Sequence, residues 1–323
     1  MNLGSIAFAL ARTYGRHSPV PWRKWQICRK ILGLGRIEPW KNTARWQRFI
    51  RNMPAEDVVI EGVRIRTDWH EGLGMLLMHQ YEPYLCHVLK QIVGPGDVIL
   101  DVGANIGFIS LLFAVLTGPK GRVYSYEPVK RTLERFRANL ERNKDLEKGE
   151  IVVREKGLSN SAGSATVFIP TSHSGTGFEI GQASVMADFN LDRSATTGRD
   201  LIEETIELTR LDDETFSGPI DIVKCDVEGA EKLFLEGARS TLRKDKPILI
   251  IEWNPGPQTY SVEDTVEIVQ SLGDYAFFEI RHFGVSPKPL DKDAIAKGGE
   301  LMLCAIRDRH ADRLKGLVRS WQR

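Results

Sequence analysis

The sequence predicts an α/β protein: a doubly wound, mostly parallel seven-stranded sheet preceded by a helical N-terminal extension. Two observations carry this. From about residue 94, apolar runs of strand length alternate with longer segments of helical period, the pattern of a sheet with crossover helices. Where the first of these strands meets the first helix, the glycine-bearing turn DVGANIG appears, at the position where open α/β sheets bind ligands. Composition closes off other classes. At 323 residues and 42% hydrophobic the chain is long enough to bury a core without disulfides or structural metal. It has no apolar run of the roughly 18 residues that a spanning helix needs.

The strands follow in order. The first covers 97–102, after the turn Gly94-Pro95-Gly96, and its helix covers about 106–116, stopped by Thr117-Gly118-Pro119. A second strand over 122–127 leads through Pro128 into an amphipathic helix over about 129–143, and a third strand covers about 151–155. Residues 157–210 are rich in Gly, Ser and Thr, with short β-like pieces at 165–169 and 206–209. Such an insertion in an α/β fold suits a substrate-facing excursion. Alternation resumes with strand 221–227, a helix over about 229–243, and strand 247–253. The next helix starts near Ser261, where Ser261-Val-Glu-Asp264 resembles a capping box with Asp in the usual Glu place. The last two strands, about 275–281 and 300–306, have no clear long helix between them and read as a hairpin at the sheet edge. The domain division expected is an extension over 1–60, the sheet domain over 61–310, and a basic tail over 311–323.

Charge is uneven along the chain. Residues 1–55 carry eleven Lys/Arg against one acid, Glu38, giving +10 and leaving −9 for the rest of a chain of formal net charge +1. Trp22, Trp25, Trp40 and Trp46 lie in the same stretch. Basic residues interleaved with Trp suit a surface meeting anionic lipid head groups, phosphate or nucleic acid. They equally suit a helical extension whose tryptophans pack on the main domain while its charges are solvated. The opening MNLGSIAFALARTYG lacks a basic start and a cleavage-like end, so no signal peptide is read. The four cysteines, Cys28, Cys86, Cys225 and Cys304, form no CxxC pair. That usage fits a reducing cytoplasm rather than a zinc ribbon or a disulfide framework.

The turn Asp101-Val-Gly103-Ala-Asn105-Ile-Gly107 carries the chemistry. Gly103 permits a tight turn, Gly107 lets the next helix pack closely, and Asn105 stands where a left-handed conformation is expected. Glu127 ends the second strand, where a carboxylate can accept both hydroxyls of a ribose. A dinucleotide needs G-x-G-x-x-G to cradle its pyrophosphate. Here the spacing is G-x-x-x-G with an Asp before it, a negative group that suits the sulfonium and ammonium of S-adenosylmethionine better than a pyrophosphate.

These residues, with four blocks around them, resemble the FkbM family of S-adenosylmethionine-dependent methyltransferases. The blocks are Tyr81-Glu82-Pro83 before GPGDVILDVGANIGF, Tyr126-Glu127-Pro128, Glu155-Lys-Gly-Leu-Ser159, and Val223-Lys-Cys-Asp-Val-Glu-Gly-Ala-Glu231 leading to Glu252. The resemblance implies a Rossmann-like methyltransferase fold and O-methylation of a hydroxyl on a sugar, glycan or secondary metabolite. It implies that Asp101, Gly103, Asn105 and Gly107 hold the methionine part of the cofactor and Glu127 the ribose. Lys156, Gly157 and Ser159 would lie against adenine, with Tyr81 and Glu82 closing over the cofactor.

Asp226, Glu228 and Glu252 end the fourth and fifth strands, on the same crevice as the cofactor. They are the candidate catalytic carboxylates, Asp226 first. Glu228 or Glu231 would also serve as a helix cap. No metal motif is present in the spacing. His173 and His282 are candidate proton acceptors without a partner constellation, and Trp253, Tyr260 and Phe178 could stack on a ring substrate. The acceptor expected is a small molecule or glycan, lipid-linked if the basic segment meets an anionic membrane at its inner face. Nucleic acid is disfavoured by the lack of an N-P-P-Y-like motif, and the oligomeric state is open. Other readings are an RNA methyltransferase using the basic segment, a catalytically inactive cofactor-binding module, and, more remotely, an NAD oxidoreductase.

Overall fold

A computed structural model describes residues 55–67, 81–170, 201–253, 262–281, 284–286, 288–291, 294–295 and 301–318. The tryptophan-rich segment, His173, Phe178, Tyr260, Ser261 and His282 lie outside the described residues.

The main sheet has the order β12-β11-β13-β10-β9-β3-β4-β5. Its strands are β3 (Val98–Val102), β4 (Arg122–Tyr126), β5 (Glu150–Arg154), β9 (Ile222–Cys225), β10 (Ile248–Glu252), β11 (Tyr275–Arg281) and β13 (Leu301–Ile306), with the two-residue β12 (Gly284–Val285) as an added edge. The seven long strands are those expected, and the core of the sheet is parallel. The last pair is antiparallel, as expected, but β13 does not sit at the edge: it is inserted between β10 and β11. Chain order reverses between β3 and β9, and a doubly wound sheet binds ligands at such a switch point.

Alternate residues of each strand feed two cores. Ile99, Val123, Ile222 and Ile250 pack with α1 (Pro83–Ile92) and α2 (Phe108–Thr117). Leu100, Tyr124, Val223 and Ile251 pack with α4 (Glu231–Gly237), α5 (Arg239–Asp245) and α6 (Val262–Leu272). Burial on both faces is why the central strands read as unbroken apolar runs. The buried polar exceptions are Asp101 in β3, Ser125 in β4 and Lys224, 5% exposed, in β9.

The helix expected over 229–243 is two helices, α4 and α5, with Ala238 between them. Just before the break stands Gly237, where a Cβ would lie 1.9 Å from the Ser159 carbonyl oxygen. The loop 156–159 is thereby held against α4. α3 (Lys130–Arg142) turns two buried asparagines toward β2 (Val63–Thr67). Asn143 exchanges hydrogen bonds with the backbone of Arg64, and Asn139 accepts from the Arg66 N–H.

The domain boundaries move outward at both ends. β1 (Glu56–Ile60) is a strand, not part of a helical extension, and pairs with β2 across the turn at Glu61-Gly62. Val58 and Ile60 enter the core, so a boundary at 60 would cut a hairpin. Beyond 310, Leu314, Leu317 and Val318 are core residues. Arg313 forms a bidentate pair with the buried Asp97, at 2.5 and 2.7 Å. Arg313→Ala should cost about 1–3 kcal/mol in chemical denaturation, less than the 3–5 of a fully buried pair because its guanidinium is a third exposed. A change within 0.5 kcal/mol would show that the tail is not held there.

The excursion folds as a separate three-stranded sheet, β6 (Gly157–Leu158), β7 (Gly163–Pro170) and β8 (Leu201–Thr209), in the order β6-β8-β7. One face packs Val167, Ile169 and Ile206 on Val129, at the start of α3.

Candidate active site

A cavity of about 320 Å³ opens beyond the carboxyl ends of β3, β4 and β9. Gly103, Asn105, Glu127, Lys156, Gly157, Ser159, Asp226 and Glu228 line it, and Ala165, Val167, Ile206 and Leu208 of the small sheet form an apolar wall. The excursion therefore does face the site. The residues that face it belong to the β-like pieces expected at 165–169 and 206–209.

The turn after β3 is built as the sequence suggests. Asn105 adopts φ +51° and Gly103 φ +77°. The N–H groups of Gly103 and Ala104 both donate to the Tyr126 carbonyl, at 3.0 Å. Glu127 accepts from the N–H of Asn105 at 3.0 Å and of Val129 at 2.9 Å. Burial raises this carboxyl to about 7, against the lowering effect of the two amides. One side chain thus ties the first turn to the second while facing the cavity.

Three expected cofactor residues are placed elsewhere. Asp101 is fully buried behind the turn. Its Oδ2 accepts from Ser110 Oγ at 2.5 Å, and its Oδ1, without a hydrogen bond, lies 3.8 Å from Lys224 Nζ. Asp101 and Lys224 are register partners on adjacent strands, so the Asp101 charge is answered inside the protein rather than by a ligand. Gly107 begins α2 at φ +84°, and a Cβ there would sit 2.0 Å from the Phe136 ring, so its role is to let α3 pack. Glu82 is not in the cavity wall; it caps α1 in a left-handed conformation and stands among a second group of acids.

That group lies on the α1/α2 face of the same rim. Lys224 Nζ donates to Asp226 Oδ2 at 2.9 Å and to the Gly103 carbonyl at 3.2 Å. Glu252 hydrogen-bonds Asp226, and burial, then Asp226, then Glu82, raise its carboxyl to about 9. Burial followed by the Asp226 charge raises Glu82 to about 7. Tyr81 hydrogen-bonds Glu82, whose charge together with burial raises the phenol well above its usual range. The Tyr81 ring also meets Phe108 edge-on at 5.5 Å. Burial would lower the Lys224 ammonium, but Asp226, Asp101 and Glu82 outweigh it and hold it raised. Asp226 joins the two regions, lining the cavity on one side and bonding Glu252 on the other.

Glu228 lines the cavity from a left-handed position, φ +48°. Glu231 does what a cap does, accepting from Gly229 N at 3.1 Å and Val227 N at 3.4 Å. Lys156 lines the cavity with its ammonium paired to Glu207 at 3.1 Å. Trp253 is core, tilted against Phe277. His310 is buried and accepts from Ile306 N; burial lowers it to about 4. Among the described residues no three or more His, Cys, Asp or Glu are grouped to hold a metal, and no helix is long and apolar enough to cross a membrane.

The main functional candidate missed from sequence is Lys224. The signal was present: a lysine in a strand otherwise wholly apolar, in a sheet covered on both faces, must meet carboxylates.

A parallel sheet of this order, with a glycine turn after its first strand and an acid closing its second, defines the Rossmann-like methyltransferase class. The family model described as "Methyltransferase FkbM domain" matches residues 101–279, over half of the chain, and the chain belongs to that family. It is 29% identical over 171 residues to the 31-O-demethyl-FK506 methyltransferase FkbM of Streptomyces tacrolimicus, covering 48% of this chain and 63% of that protein. It is 43% identical over 70 residues to the protein-L-isoaspartate O-methyltransferase of Aeropyrum pernix, covering 21% of this chain and 27% of that protein. The match thus spans less than two thirds of either relative. A crystal structure of a methyltransferase FkbM from Methylobacillus flagellatus KT aligns at TM-score 0.42 and 16% identity, over 93% of this chain and 58% of that one.

Proposed function

We propose that the protein is an S-adenosylmethionine-dependent O-methyltransferase acting on a hydroxyl of a sugar, glycan or secondary metabolite. The observation that carries this is Asp226, which lines the cavity and stands beside the group of acids that includes Glu82 and Glu252. The cavity fits the donor: an apolar wall, a buried Asn105 Oδ1 without a partner, and a Glu127 carboxylate facing inward. Asn105, Glu127 and the backbone of 156–159 would hold it. The donor supplies a methyl carbon made electrophilic by the attached sulfonium. Asp226 takes the proton of the acceptor hydroxyl, a contribution of about 10²–10⁴-fold, and Glu252 and Glu82, raised by their surroundings, hydrogen-bond the acceptor's other oxygens. FkbM of S. tacrolimicus, named for a 31-O-methylation, supports a hydroxyl acceptor.

The carboxylates that line the cavity, among them Asp226 and Glu228, disfavour an anionic acceptor. Like charges about 4 Å apart repel by up to about 4 kcal/mol at a protein surface. Neutral sugars should therefore be methylated roughly tenfold or more faster than analogues carrying a carboxylate or phosphate beside the reacting hydroxyl. The basic residues 1–55 would meet anionic groups farther along a lipid-linked glycan, with the protein peripheral at the inner face of a membrane. Transfer of labelled methyl into fractionated extract and a defined sugar panel tests the assignment. Label entering RNA with steep salt dependence, or donor binding without transfer to any hydroxyl, would overturn it.

A further inference from the structure

We propose that Lys224 is a positioning residue for the transfer: its ammonium, bound to Asp226 Oδ2 and to the Gly103 carbonyl beside Asp101, fixes the Asp226 carboxylate at the rim and leaves Oδ1 to receive the acceptor's proton. The inference rests on the proposed methyl transfer at this site. In that step the acceptor oxygen bonds the methyl carbon of a sulfonium donor while the carbon–sulfur bond breaks, its electron pair leaving with sulfur. The hydroxyl proton passes to Asp226.

The placement argues for more than structural support. Lys224 is the register partner of Asp101 on β3 and of Ile250 on β10, in a strand whose other three residues are apolar and buried. Replacing a buried ion pair by well-packed apolar residues is commonly neutral or stabilising, so an aliphatic pair in place of Asp101 and Lys224 would close the sheet as well. It would not hold a carboxylate at the strand end. The bond to Gly103 extends the same restraint to the turn that borders the cavity. One cation thereby fixes both the donor-side backbone and the acceptor-side acid.

Its charge also matters. The groups facing it are Asp101 from β3, Asp226 from its own strand, Glu252 from β10, and Tyr81 and Glu82 ahead of α1, with Ser110 of α2 acting through Asp101. Without an ammonium among them, Glu252 would lose the neighbour that lowers its carboxyl against burial, Asp226 and Glu82.

The test uses K224M and K224Q in the full chain, with K224R as the charge-retaining variant. In the ligand-free, carboxyl-labelled protein, the Glu252 carbon signal should titrate about one pH unit or more higher in K224M and K224Q than in wild type, since an opposite charge has been removed. K224R should stay near wild type. kcat should fall in K224M and K224Q and be largely kept in K224R, with KM for the donor changing less than kcat. On the wild-type protein, the Lys224 ammonium protons should appear as slowly exchanging nitrogen-bound signals at neutral pH. A Glu252 titration unchanged in the neutral variants, or fast-exchanging ammonium protons in the wild type, would overturn the proposal. Calorimetry of wild type with S-adenosylhomocysteine tests the methyl-transfer assignment separately; its failure would leave the titration result standing.

Discussion

Asp226→Asn should lower kcat by about 10²–10⁴-fold while leaving the affinity for S-adenosylhomocysteine within a few-fold of wild type. Asn keeps the shape of the side chain and an oxygen to accept from Lys224 Nζ, now at 2.9 Å, so the rim should hold its geometry. What it loses is the negative charge and the capacity to take a proton. Burial, the largest cause of the raised Glu252 carboxyl, remains in the variant, which makes Glu252 a poor substitute for the lost base. Labelled-methyl transfer gives kcat and calorimetry gives the affinity. Equal losses in both would instead make Asp226 a donor ligand.

The legible part of this protein was what local physics writes into the chain. Strand runs, helix stops and the left-handed Asn105 follow from periodicity and from what each residue tolerates at its own position. The misplaced residues share a different property: their roles are fixed by partners far away in sequence. Asp101 looked like a ligand because it precedes the glycine turn, yet it answers Lys224, 123 positions on and adjacent only through β3–β9 pairing. Gly107 was assigned to the cofactor, but its requirement comes from Phe136 on α3. The glycine at 237 likewise answers to a distant partner, the Ser159 carbonyl. Charge balance inside a sheet is a tertiary property, which position beside a glycine turn does not reveal.

The same distinction yields the second large effect. Gly103→Ala should destabilise the protein by more than about 3 kcal/mol, into the range reserved for named structural faults, and abolish donor binding. Two costs act together. At φ +77° an alanine pays about 1–2 kcal/mol for a left-handed backbone, and its Cβ would lie 1.8 Å from the Asp226 carbonyl oxygen. That oxygen is backbone, held in register by the Asp226 N–H to Val102 carbonyl bond at 3.1 Å, so relief requires parting β3 from β9 at the rim. Gly62→Ala supplies the comparison. It shares a left-handed φ of +84° but has nothing within 4 Å of the added atom, so it should cost only the backbone term. A difference of about 2 kcal/mol or more between the two variants in urea denaturation would isolate the close approach of the strands. Equal costs would mean that the rim can open, and then Asp226 would not be held at a fixed distance from the cavity.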